Sequence, residues 1–198
     1  MTDYLTAAMA MLGPAESRYA DPSAWNRLQD ELGVELPADY MAVVDAFAPI
    51  KLNGHLYLLH PATERWNLTK DIRDKAQVWS DVPWDETLDA DEDPRLLFGL
   101  PELAFGSDPG LWPITSTDRG ETVFLVTGPD APWLLVSRDQ EWYRYDMSFA
   151  EWLYRYLIGE DMAGPNSSAF YPGPVTLQRL PMTAGERPQP WHGPNRGM

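Results

Sequence analysis

The chain has 198 residues and a formal net charge of −15 at pH 7, from 30 Asp and Glu against 15 Lys and Arg. That excess repels nucleic-acid phosphate and anionic membrane and steers association toward basic partners, so neither nucleic acid nor membrane is an expected ligand. An apolar fraction of 44% with nine Trp suffices for one buried core, and the absence of Cys excludes disulfides and thiolate metal sites.

Met1-Thr-Asp-Tyr4 has no basic n-region, and Leu5 to Leu12 is too short for a signal segment or a span, so a cytoplasmic location is expected. Tyr4 to Leu12 reads as a weakly amphipathic helix that Gly13-Pro14 ends. Asp21-Pro22-Ser23 opens a second helix, with Ser23 as N-cap, Trp25, Leu28 and Leu32 on one side, and Gly33 as the stop. Pro37 suits the first turn of a third helix, because its missing N–H would have no partner there, and Tyr40, Val43, Val44 and Phe47 form the apolar face. Pro49 ends this helix, and Lys51-Leu-Asn53-Gly54 turns the chain into a strand, His55 to Leu59.

Thr63 to Ser80 predicts a longer helix with Trp66, Ile72, Ala76 and Trp79 roughly on one face. An acidic loop follows, carrying seven carboxylates from Asp81 to Asp93 with no base before Arg95. Leu111 to Thr115 is a short strand that Pro113 marks as an edge candidate. Thr122 to Thr127 and Trp133 to Ser137 are apolar, β-branched runs separated by Gly128-Pro129-Asp130, and Glu141 to Tyr145 is a third strand after the Arg138-Asp139-Gln140 turn. Ser148 then caps a helix whose Glu151 completes a capping box; Phe149, Trp152, Leu153, Tyr156 and Leu157 share one face, and Gly159 stops it.

Beyond Gly159 the chain turns Pro- and Gly-rich. Residues 1–160 are therefore expected to form the domain and 161–198 an extension, in which Phe170-Tyr171 and Val175-Thr-Leu177 are docking candidates and Gly185 to Met198 is expected to be mobile.

Leu32-Gly-Val-x-Leu-Pro-x-Asp-Tyr40 on entry to a helix, the Asn53-Gly54 turn, Gly110-Leu-Trp112, and a last strand followed by Ser148-Phe149-x-Glu151-Trp-Leu153 resemble the SUKH superfamily, in its Smi/Knr-type branch. The resemblance covers roughly 25–159, with the helix and acidic loop after His60 as an insert. It implies an α+β fold: a mostly antiparallel sheet with N-terminal helices and one C-terminal helix packed against it, plus here the Pro/Gly-rich tail. For many bacterial members it also implies an immunity protein that binds and neutralises a toxin, often a nuclease, and it brings no catalytic residues across.

The residues themselves offer little catalytic chemistry. His55 and His60, five apart on a strand, face opposite sides and cannot share a metal. Asp89-x-Asp91-x-Asp93 begins like a calcium loop, but Pro94 replaces the required Gly and Leu100 the bidentate Glu. No phosphate-binding Gly-rich loop or nucleophile elbow is present, and no cofactor is expected. The expected function is a non-enzymatic binder of a basic toxin domain. Its expected docking surface is the acidic segment, Asp81, Trp84, Asp85, Glu86, Asp89, Asp91, Glu92 and Asp93, with Trp79 and Trp84 either as anchors for a partner or as core. The alternatives are a solvated loop of no function, an adapter or regulatory scaffold, and a small hydrolase with an acid-lined pocket.

Overall fold

The computed structural model describes residues 2–128, 132–170 and 173–195. In chain order the helices and first hairpin are α1 (Tyr4–Leu12), α2 (Pro22–Leu32), α3 (Ala38–Phe47), β1 (Ile50–Leu52), β2 (Leu56–Leu58), α4 (Leu68–Ser80), α5 (Trp84–Thr87) and α6 (Pro94–Phe98). Then come β3 (Gly110–Thr117), β4 (Thr122–Thr127), β5 (Trp133–Arg138), β6 (Glu141–Tyr145), α7 (Phe149–Ile158), a 3-10 turn, β7 (Pro174–Arg179) and β8 (Trp191–Asn195). The strands form one antiparallel sheet in the order β6-β5-β4-β3-β2-β1-β7-β8, so the fold is α+β.

Strand β4 shows why the sheet is covered twice. Its Val123 and Leu125 join one buried cluster, with α1, α3 and α7, while Phe124 and Val126 join a second, with Ala76 of α4 and Phe105. A strand buried on both faces reads as a continuous apolar run, and Thr122-Val-Phe-Leu-Val-Thr127 does.

Helix α7 supplies much of the first layer. Ser148 Oγ accepts from the Glu151 N–H at 3.2 Å, and Gly159 ends the helix at φ 91°. Only half of the expected capping box forms, because the Glu151 carboxylate pairs with Arg155 at 2.8 Å. Asp39 of α3 adds a second carboxylate at this helix start, accepting from the Ala150 N–H at 2.7 Å. Its neighbour Tyr40, fully buried, donates to the Ile114 carbonyl at 2.7 Å and meets Phe149 edge-on at 4.8 Å. The Pro-x-Asp-Tyr motif thus ties α3 to α7 and β3.

Several expectations are corrected. Asp21, not Ser23, caps α2, its carboxylate accepting from the Ser23 N–H at 2.9 Å, and Pro22 takes the first helical position. Ile50–Leu52 is already a strand before the Asn53-Gly54 turn, which uses positive φ at both residues, 47° and 72°. Helix α4 begins at Leu68 under an Asn67 cap, so Trp66 lies outside it, stacked on Tyr57 at 6.4 Å. Strand β3 lies inside the sheet; Pro113 is accommodated because β2 pairs only with Ser116 and Thr117, and because the β4 register shifts between Pro113 and Thr115. The Gly128-Pro129-Asp130 turn falls partly outside the described residues, as does Tyr171.

The expected break at residue 160 falls within one continuous sheet. Strand β7 pairs with β1, and the Thr176 N–H donates to Asn53 Oδ1 at 3.1 Å; β8, in the stretch expected to be mobile, pairs with β7. Val175 is fully buried in the first core.

Candidate functional site

The acidic segment is carried on the second cover of the sheet, joined to it by Trp84 between the end of α4 and the apolar residues Phe98 to Phe105. At the end of α4, Trp79 packs edge-on against Phe124 at 5.1 Å and Trp142 at 5.4 Å. Trp84 stacks on Trp79 at 5.5 Å and 10°, and its indole N–H donates to the Trp79 carbonyl at 2.8 Å. Phe98, Leu100 and Leu103 extend this apolar underside. Of the two roles expected for Trp84, partner anchor or core, the packing favours the second: the half-buried ring helps to seat the layer.

Asp93 is also inward. Only 8% exposed, it caps α6, accepting from the Arg95 N–H at 2.8 Å while its oxygens take Arg95 Nε at 3.0 Å and Nη2 at 2.8 Å. These bonds from Arg95 hold the Asp93 carboxyl below its ordinary range. Arg95 Nη1 also reaches Asp85 at 2.5 Å, so one guanidinium clasps two of the expected docking acids. Asp81 accepts from Gln77 at 2.7 Å across the last turn of α4.

Six of the expected acids are exposed; Asp81 and Asp85 have the partners just named, whereas among the described residues no hydrogen bond or ion pair reaches the carboxylates of Glu86, Asp89, Asp91 and Glu92. Asp91 and Glu92 stand at one wall of an open groove of about 520 Å³, with Leu97 of α6. The opposite wall is the edge strand β6 and the turn before it, with Asp139, Glu141 and Tyr143. Partial desolvation and the Glu141 carboxylate push the Tyr143 hydroxyl up to about 12, so it remains a donor at neutral pH. Its ring lies so close to Gly164, φ 81°, that an added Cβ there would sit 2.3 Å from it.

Leu96, Leu97, Asp139 and Glu141 were not expected in the site. One signal for the leucines exists in the sequence: Leu96-Leu97-Phe98 are consecutive on one helical turn, and a single face cannot bury all three. The acids of the β6 wall are brought in by strand pairing, which no local pattern encodes.

The histidines lie apart. His60 is fully buried; its Nδ1 accepts from the Ala62 N–H at 3.0 Å and its Nε2 lies 3.1 Å from Asp45, which also accepts from Trp25 Nε1 at 2.9 Å. Because Nδ1 is an acceptor, the ring is neutral with its proton on Nε2. His55 lies on the surface with Nδ1 2.8 Å from Asp118. Among the described residues no group of three or more His, Asp or Glu could hold a metal ion, and no helix is long and apolar enough to cross a membrane.

A two-layered α+β sheet whose outer layer is held by aromatics and carries unpaired acids outward is thus the class of protein defined by the geometry. Comparison with protein-family models, curated proteins and solved structures found no match.

Proposed function

We propose that this chain is a non-enzymatic binding protein that neutralises a basic protein toxin by covering it, the role implied by the resemblance to the SUKH superfamily. The observation that carries the reading is the set of outward carboxylates, Glu86, Asp89, Asp91 and Glu92, on a layer that aromatic stacking holds to the sheet. Fixed, unpaired acids attract a cationic surface without first breaking internal ion pairs, and they occupy the positions that substrate phosphates would take on a nuclease.

The test is to express the chain beside the product of the reading frame adjoining its own, and to reverse these four acids together to Lys. Because no hydrogen bond or ion pair reaches these carboxylates among the described residues, the melting temperature should stay within about 2 °C, as for substitutions at uninvolved surface sites. Protection from the toxin should be lost, and wild-type association should slow steeply as salt rises, with dissociation changing less. Full protection by the folded quadruple variant would refute the acidic face as the docking surface.

A further inference from the structure

The exposed leucines of α6 belong to neither buried cluster. Leu96 is 68% exposed and Leu97 49%, while Pro94 is buried and Phe98 packs against the aromatic layer. An apolar pair beside unpaired carboxylates has the anatomy of an interface: an apolar centre with a charged rim. Charge raises the rate of encounter; desolvated apolar contact sets how long the complex lasts.

The groove between α6 and β6 states what the rim would accept. Asp91, Glu92, Asp139 and Glu141 line it; Arg138 lies 3.6 Å from Asp139 and donates to the carbonyls of Ala163 and Pro165 at 3.3 and 3.1 Å, and Glu141 accepts from the Tyr143 hydroxyl, so Asp91 and Glu92 are the acids of the groove that no hydrogen bond or ion pair reaches among the described residues. Tyr143 and Pro165 offer apolar walls on which the stem of a Lys or Arg can lie while its head meets the acids.

Resting on the reading that this face meets a protein, we propose that the partner supplies a cationic amphipathic segment, its apolar side chains on Leu96 and Leu97 and its Lys or Arg side chains in the groove along β6. Two labelled probes test this by fluorescence anisotropy: a Leu/Lys peptide with helical spacing and an oligolysine of equal charge. The full chain should bind the amphipathic peptide about tenfold or more tightly than oligolysine, the discrimination that apolar contacts at an interface centre provide. Leu96→Ser with Leu97→Ser should remove that preference and leave oligolysine binding unchanged; Asp91→Lys with Glu92→Lys should weaken both. Equal binding of the two peptides by the wild-type chain, a comparison that needs no variant to fold, would overturn this inference and leave charge-led docking standing. An undiminished preference in the leucine variant would do the same. Failure of both peptides to bind would overturn both.

Discussion

Asp93 takes three donors from one residue, the Arg95 backbone N–H and two guanidinium nitrogens, and so closes α6 onto the end of the acidic run. Asp93→Ala should cost about 0.5–2 kcal/mol, the usual range for a lost N-cap, and more than Glu86→Ala, which should stay within about 0.5 kcal/mol because the Glu86 side chain is exposed and no hydrogen bond or ion pair reaches it among the described residues. Urea unfolding of both variants checks this; equal midpoints would show that Asp93 caps nothing. Its folded pKa is lowered, so its contribution is complete above the unfolded value of about 3.9 and is lost as pH falls through the folded pKa. His60 adds a second pH dependence in a higher window. Burial lowers its pKa, with Asp45 acting in the opposite direction, so on acidification the unfolded state takes up the proton first. Stability from His60 is complete above about pH 6.5 and declines from there down through its folded pKa. Unfolding measured near pH 7.5 and near pH 5.5 should show this decline in the wild type and less of it in His60→Gln. An identical decline in both would place its origin elsewhere.

Helix α7 was legible because its cap, its stripe and its stop are all local, and the stripe is buried as spaced. Trp152, 1% exposed, also donates its indole N–H to the Met162 carbonyl at 3.0 Å. Trp152→Ala should cost about 3–5 kcal/mol, the range for emptying a large aromatic site; a loss below about 1 kcal/mol in chemical denaturation would contradict that packing. Strands β4 and β6 were equally readable from apolar runs and turns. The three-residue β1 was missed because so short a stretch has no period, and its partners, β2 and β7, are fixed by tertiary pairing. The extent of α4 was overread because Trp66 falls at a helical spacing, although its φ of 62° and its stacking on Tyr57 place it in the preceding turn. In the candidate site the acids were visible as composition, but which of them turn inward depends on Arg95 and on the aromatic underside.

Over the whole molecule, residues distant in sequence close the sheet. A chain ending at residue 160 would expose the pairing edge of β1 and remove Val175 and Leu180 from the first core. Such a truncation should lose cooperative unfolding or associate through the bared strand, as size-exclusion chromatography and circular dichroism can show. A monomeric, fully cooperative 1–160 fragment would mean that β7 and β8 are dispensable. The two coverings of the sheet also differ optically. Trp79 and Trp84 of the outer covering touch each other and Trp142 on the face of the sheet beneath them, while Trp112 and Trp152 lie in the cluster on the other face. Indoles in such contact couple their electronic transitions, so the near-ultraviolet dichroism of the first group follows the seating of the acidic layer, while the far-ultraviolet signal follows the backbone beneath it. Lifting of the partner-facing layer from an otherwise intact sheet would therefore register as a spectral change in the unlabelled protein.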